Sequence, residues 1–229
     1  MSAQPPKSGF LAAADEGARG AAATPSEAPS EALFRRVALE LFAERGFHGS
    51  SLRDIAARAG TNVSHLYYYF PSKAHLLRSI MLSIVDSLLE ALRKASAEAG
   101  DDPVARFQAL VRCMVLFHAE RQQEAFVGRS ELRSLGDEAR REVIVVFDEI
   151  TRLFKDTLDA GLRSGAFRCA YPAEAIFSVL AMSSAVATWY RKGGVNSPTT
   201  IAERYARLAL EMVGHDTRAE ADGVGAAGS

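Results

Sequence analysis

The stretch from Ser50 to Leu77 contains one helix-start signal before a glycine and another after it, which strongly restricts the local structure that it can adopt. Ser51 is followed three residues later by Asp54, a capping-box-like pair whose side chains can satisfy free N–H groups at a helix start. Gly60 favours the left-handed conformation that ends a helix, and Asn62 can cap the next one. The pattern predicts two short helices joined by a tight turn.

The second of these helices combines a narrow apolar face with an aromatic outer surface. Val63, Leu66 and Phe70 are spaced to pack inward, and the outward residues are Ser64, His65, Tyr67 and Tyr68. Successive helical residues are about 100° apart, so three consecutive tyrosines cannot all be buried. Such a helix is typical of a major-groove reader, although many helix pairs in all-α proteins only pack together. Lys73, just after the start of a third helix at Pro71-Ser72, lies near N–H groups that favour phosphate oxygens.

Residues from about Leu33 to Leu77 resemble the DNA-binding domain of TetR-family transcriptional regulators. Members show Phe-x-x-x-Gly-Phe/Tyr, a small hydroxyl pair, Ile-Ala-x-x-Ala-Gly and Leu-Tyr-x-Tyr-Phe-x-x-Lys. The corresponding segments here, in register and without gaps, are Phe42 to Phe47, Ser50-Ser51, Ile55 to Gly60 and Leu66 to Lys73. The resemblance covers about a fifth of the chain and implies binding to double-stranded DNA.

The same resemblance implies a role for each residue of the DNA-binding set. Ser51 and Lys73 would hold phosphates, and Tyr67 and Tyr69 would hold the backbone or sugar. The residues nearest the base edges would be Arg53, Val63, Ser64, His65 and Tyr68. Asn62, also in the set, stands where the family often has Ser, and Ser64-His65 stand where it often has Gly-Thr. Asn caps as well as Ser, so the fold is preserved, whereas the altered pair leaves the operator sequence open.

Helical periodicity continues through the rest of the chain, and no sustained period-2 segment competes with it. We predict an all-α fold of about nine helices, with an N-terminal three-helix helix-turn-helix domain and a larger C-terminal helical ligand-binding and dimerisation domain. The predicted limits are 30–77 for the DNA-binding domain and 78–213 for the second domain. Residues 1–29 and 214–229, rich in small residues, are expected to form disordered tails. One long helix from Ser72 to about Gly100 would link the two domains mechanically.

The distribution of charge and the cysteine content further limit the possible functions and the compartment of the protein. The chain carries a net charge of −1, but residues 30–77 contain six basic and four acidic side chains, so the excess positive charge lies where DNA contact is expected. Cys113 and Cys169 lie far apart without a Cys-x-x-Cys pair, so we expect reduced, structural thiols. No apolar run is long enough to span a membrane and no signal-peptide pattern begins the chain, which predicts a cytoplasmic protein.

The resemblance also implies a homodimer in which the last two helices pack against their copies, so that two heads read a palindromic operator. A small-molecule effector in the second domain would tilt the long helix and release the DNA. Aromatic residues and nearby polar groups are the candidates for its pocket: His118, Arg121, Phe126, Arg129, Phe147, Phe154 and Trp189. Segments around Arg129, Gly161 and Trp189 look similar to TetR-type regulators of lipid or steroid catabolism, which implies an acyl-CoA or other lipid-like effector.

Two other classes of function remain as alternatives. An all-α enzyme is disfavoured because the chain shows no Ser/His/Asp order, no paired metal-ligand spacing and no Gly-rich phosphate loop. We therefore expect no catalytic residue, metal or cofactor. A ligand-independent DNA-binding protein is disfavoured by the long aromatic-rich second domain. Repression is the favoured activity, and activation stays open because the same head serves both.

Overall fold

The computed structural model describes residues 29–216, which form nine α-helices, one short 3-10 helix and no β-strand. This confirms the predicted all-α fold. The helices are α1 (Pro29–Arg45), α2 (Leu52–Arg58), α3 (Val63–Tyr69), α4 (Lys73–Glu98), α5 (Pro103–Glu120), α6 (Gln122–Ser130), the 3-10 helix (Leu132–Ser134), α7 (Asp137–Ser164), α8 (Pro172–Trp189) and α9 (Pro198–Met212). None of them has the length and apolarity needed to cross a membrane.

The head, which comprises α1, α2, α3 and the first half of α4, encloses one buried apolar cluster. Phe34 of α1, Ile55 of α2 and Leu66 of α3 lie in this cluster and are almost completely buried. Val127 and Val143, from α6 and α7, are buried in the same cluster. The head therefore shares its core with the neighbouring part of the body.

The body, α5 to α9 with the second half of α4, is built around α5. This helix packs against α4, α7, α8 and α9, and Phe107 meets Phe154 of α7 edge to face with ring centroids 6.1 Å apart. Gly161 of α7 lies against the buried ring of Phe167, where a Cβ atom would fall 1.9 Å from a ring carbon. A glycine is needed at this position because the ring occupies the space of a side chain.

Helix α4 belongs to both cores, as the sequence pattern suggested. Its buried apolar residues up to Val85 lie in the head cluster, and those from Leu88 to Leu92 lie in the body cluster. The boundary between 77 and 78 stays a prediction, because one continuous helix crosses it. Most of the two predicted tails, 1–29 and 214–229, lies outside the described residues. Within their described part, Pro29 opens α1 and the backbone of His215 donates to Leu210 to close α9.

Candidate nucleic-acid interface and ligand groove

The start of α2 is a complete capping box. The Ser51 hydroxyl accepts from the backbone N–H of Asp54, and the Asp54 carboxylate accepts from the backbone N–H and the hydroxyl of Ser51. These bonds from Ser51 hold the pKa of the Asp54 carboxyl below its usual range. The predicted cap is confirmed. The hydroxyl proposed for phosphate contact is thus already bonded to a carboxylate.

Helix α3 is capped at its start and anchored from below. The Asn62 side-chain oxygen accepts from the N–H of His65 at 2.8 Å, which confirms the predicted cap. Leu66 and Phe70 are buried in the head core, and Tyr68 is 83% exposed. The helix is held on one side and presents its polar and aromatic side to solvent.

The predicted DNA-binding residues cluster on and around α3, most of them in contact with solvent. Those classed as exposed are Ser51, Arg53, Asn62, Ser64, His65, Tyr67 and Tyr68. Val63 and Tyr69 are half-buried, and Tyr69 packs its ring against Phe34, His65 and Tyr68. Arg53 makes no ion pair within residues 29–216. Their contacts with DNA stay a prediction.

Lys73 has an internal role that the sequence did not reveal. Its ammonium donates to the backbone oxygens of Phe47 and Ser50, each at 2.7 Å, and lies 4.3 Å from the centre of the Phe47 ring. Partial burial lowers its pKa. Two of the three donors of the ammonium are therefore committed to the α1–α2 turn, which leaves one for a phosphate.

The same turn is held from the body by Glu131, a residue that belongs to no motif of the sequence. This buried carboxylate, between α6 and the 3-10 helix, accepts from the N–H of Phe47 at 3.3 Å and from the Ser134 hydroxyl at 2.7 Å. The backbone oxygen of Phe47 is thus bonded to Lys73 of α4, and its backbone N–H is bonded to Glu131 of the body. An acidic residue at the end of a helix carries no sequence signal for such a contact.

A groove of about 650 Å³ runs between the C-terminal half of α4 and α5. Its apolar lining comes largely from small residues and ends at two larger ones: Ala91, Ala95, Ala99, Ala105, Ala109, Cys113, Leu116 and Phe117. Burial raises the pKa of Cys113 to about 11, so its thiol stays protonated near neutral pH. Arg112, Arg121, Glu98 and Glu120 supply charges along the groove. The spacing of four between Ala91, Ala95 and Ala99 is the only sequence signal that points to it.

The structure does not bring the seven predicted ligand residues into one pocket. Arg121 lines the α4–α5 groove, with its guanidinium 4.7 Å from the centre of the Phe117 ring. Arg129 lines a different cavity, and Phe154 is fully buried in the body core. Among the aromatic members, Phe126, Phe147 and Trp189 are exposed. Helical periodicity predicts which residues share a face but not how neighbouring helices are rotated, so the set was spread over several surfaces.

The seventh predicted ligand residue, His118, is half-buried on α5. Its Nδ1 lies 2.8 Å from the backbone oxygen of Met114, and because a carbonyl only accepts, Nδ1 carries the proton. Burial is the main cause of a lowered pKa for this imidazole. The arrangement stabilises the neutral ring.

Helices α8 and α9 present apolar side chains to solvent. Phe177 is 66% exposed and Leu208 is 50% exposed, and Trp189 and Met212 are also exposed. Ala181 lies one turn after Phe177 and is exposed as well. Apolar patches of this kind on two neighbouring helices mark interaction surfaces in soluble proteins.

Two family models match the chain. The model described as bacterial regulatory proteins, tetR family, matches residues 34–80, and a tetracyclin repressor-like C-terminal domain matches residues 100–213. The HTH-type transcriptional repressor KstR2 of Rhodococcus jostii is 30% identical over 177 residues, which cover 76% of this chain and 86% of that protein. The HTH-type transcriptional regulator RutR of Escherichia coli is 30% identical over 149 residues, 63% of this chain and 67% of that protein.

Solved structures share the fold. A bacterial regulatory protein in the tetR family from Rhodococcus RHA1 superposes with a TM-score of 0.78 at 29% identity, over 82% of this chain and 99% of that one. AibR in complex with isovaleryl coenzyme A and operator DNA superposes with a TM-score of 0.68 at 22% identity, over 80% and 97% of the two chains.

Proposed function

The chain belongs to the TetR family of bacterial transcriptional regulators, and from this premise we propose that it is a ligand-responsive repressor that binds a palindromic operator as a homodimer. The observation that carries the proposal is the geometry of α3. Asn62 caps its start, Leu66 anchors it in the head core, and Tyr68 stands almost free in solvent. Repression is favoured over activation because the Rhodococcus jostii relative is a transcriptional repressor.

The exposed apolar residues of α8 and α9 support dimerisation through these two helices. Phe177 and Leu208 are exposed in the single chain, and pairing with a second copy would remove them from water. A two-fold axis through this surface would place two copies of α3 on successive major grooves, and their binding free energies would add.

The α4–α5 groove supports an effector with an apolar body and an anionic end. Its volume of about 650 Å³ lies within the usual range of small-molecule sites, about 300–1,000 Å³. Alanines form an apolar floor on which an acyl chain or fused ring can lie, and Arg121 lies at the Phe117 end. An acyl-CoA or a similar lipid-like acid has this combination of properties.

Helix α4 supplies the connection between effector and DNA. The groove borders its C-terminal half, and Lys73 at its first residue holds the α1–α2 turn of the head. A ligand that separates α4 from α5 would tilt the helix and change the spacing of the two heads. Affinity for a palindrome falls when that spacing no longer matches the half-sites.

Operator affinity, with and without candidate effectors, tests the proposal. The full-length protein is titrated by fluorescence anisotropy onto DNA from its own upstream region, in the presence of a panel of acyl-CoAs and other apolar acids. We expect nanomolar binding to a palindrome and its loss with one ligand class. Absence of specific binding to any such fragment would refute the proposed function, whereas binding unmoved by every ligand would refute the ligand response alone.

A groove-filling variant and a matched control locate the effector. Ala95→Leu places a larger side chain inside the groove, whereas Ala97→Leu makes the same change on the exposed side of α4. Ala95→Leu should abolish the response to ligand and retain operator binding, and Ala97→Leu should retain both. An unchanged response in both variants would place the effector elsewhere.

A further inference from the structure

A second cavity, separate from the α4–α5 groove, lies where α6, the 3-10 helix and α7 meet. Its volume is about 400 Å³, and we call it the arginine cavity because three of its lining residues are arginines: Arg129, Ser130, Leu132, Arg133 and Arg140. The lining contains no carboxylate among the described residues. Three guanidinium groups that are always charged therefore line one surface depression, and the neighbouring carboxylate of Glu131 is bonded to Phe47 and Ser134 outside that lining.

The polar groups of the arginine cavity are incompletely satisfied. The side chains of Arg129 and Arg133 have no ion-pair or hydrogen-bond partner in the part of the chain that the structure describes. Arg140 donates from Nη2 to the backbone oxygens of Arg133 and Leu135, but its Nε is buried without a partner in the same region. The buried hydroxyl of Ser130 is likewise without one. Arg129 and Arg133 are exposed, so their guanidinium groups are free to bind an anion from solution.

We propose that the arginine cavity binds a small organic phosphate. Phosphate oxygens accept paired hydrogen bonds from guanidinium groups, and such charge-assisted bonds are among the stronger polar contacts in proteins. Arg129 and Arg133 supply the exposed guanidinium groups, and Leu132 provides an apolar side chain against which the organic part of the ligand rests. The apolar contact with Leu132 favours a small organic molecule over the outer surface of a DNA duplex.

The position of the arginine cavity ties it to the head. Glu131 lies in the chain between Ser130 and Leu132, and its carboxylate accepts from the N–H of Phe47 in the α1–α2 turn. A phosphate bound by Arg129 and Arg133 would shift the segment that carries Glu131 and, through it, the turn. Coupling between two sites is reciprocal, so a bound phosphate would change operator affinity and the operator would change phosphate affinity.

Calorimetric titration of the full-length protein in the absence of DNA tests the binding site. The probes are adenosine 3′,5′-bisphosphate and inorganic pyrophosphate, and the variants are Arg129→Gln and Arg133→Gln. Arg152→Gln, an exposed arginine on α7 outside the cavity, is the matched control. We expect one saturable site per chain, with affinity lowered about tenfold by each cavity variant and unchanged in the control. No saturable binding, or an equal loss in all three variants, would overturn the proposal.

Operator titrations with and without the bisphosphate test the coupling, which rests on the proposed function. The probe should change operator affinity of the native protein and leave that of Arg133→Gln unchanged. A bound probe without effect on the operator would overturn the coupling alone. If Arg133→Gln instead binds the operator less tightly, with a salt slope reduced by about one and no probe binding in the native protein, the cavity would be a DNA-phosphate contact and the small-molecule assignment would be wrong.

Discussion

The head and the body begin their helices differently. In the head, Ser51, Asn62 and Ser72 each cap the helix that follows with a side-chain hydrogen bond. In the body, Asp102 and Ser197 do the same for α5 and α9, but α6, α7 and α8 start without a side-chain cap. Both regions have an apolar core, but side-chain caps fix the starts of α2, α3 and α4 in the head and of only two of the five helices that begin in the body.

This difference suits two tasks. A surface that reads base edges must keep its geometry before DNA arrives, because ordering it on binding would reduce affinity. A domain that transmits a signal must instead have more than one arrangement of similar free energy. The uncapped helices of the body and its two cavities leave room for such rearrangement. Substitutions in the two regions test whether the head is the rigid partner and the body the adaptable one.

The largest effect is expected for Leu66→Ala in the head. Leu66 is fully buried, and removing most of such a side chain costs about 2–5 kcal/mol of stability. Operator binding should be lost, while the part of the body built around α5, whose apolar cluster does not contain Leu66, keeps its oligomeric state in sedimentation. Tyr68→Ala on the exposed side of α3 is the control, with native stability and weaker operator binding. A variant that loses both DNA binding and its oligomeric state would show that the two regions fold as one unit.

Gly161→Ala tests the packing of the body. The new methyl group would meet the Phe167 ring, and overpacking of this kind costs about 1–3 kcal/mol. Gly128→Ala, on helix α6 with open space at its Cβ, should instead stabilise the protein by about 0.5–1 kcal/mol. Urea unfolding of both variants provides the measurement. Equal stability of the two would mean that the body tolerates the extra volume by shifting α7.

Removing a helix cap from the head and adding one to the body should change the stability of the protein in opposite directions. Ser51→Ala removes a capping box from the head and should cost about 0.5–2 kcal/mol. Gly136→Ser offers α7 the cap it lacks, at a residue in extended conformation with open space beside it, and should gain a few tenths of a kcal/mol. Thermal unfolding at fixed pH measures both. A destabilising Gly136→Ser would show that the start of α7 is fixed by other contacts.

The smallest effect concerns pH. Burial lowers the pKa of His118 below its usual value near 6.5, so the unfolded chain binds a proton more readily than the folded one. The body should therefore lose stability as the pH falls through 6.5. The pKa of Asp54 in the head is also lowered, but its contribution persists until the pH falls below about 4. In His118→Gln, the fall in Tm between pH 7.5 and 5.5 should be smaller than in the native protein. An identical fall in the two proteins would assign the loss of stability to other titratable groups.

The sequence by itself determined the all-α fold, the positions of the helices and the caps of the head. Ser51 with Asp54, and Asn62 with the His65 backbone, are contacts within three residues, so local chemistry specifies them. The end of α7 at Ser164 is likewise local, because Gly165 adopts the left-handed conformation that ends a helix. The resemblance to the TetR family rested on the same local motifs.

The tertiary structure alone decided which distant side chains meet. The ammonium of Lys73 reaches Phe47 across 26 positions of the chain, and Glu131 reaches the same residue across 84. The predicted aromatic pocket was dispersed, and a groove lined by alanines and a cavity lined by arginines appeared instead. The physical reason is that periodicity specifies the face of each helix, whereas cavities depend on the rotation and crossing of neighbouring helices, which only the packing of the whole core determines.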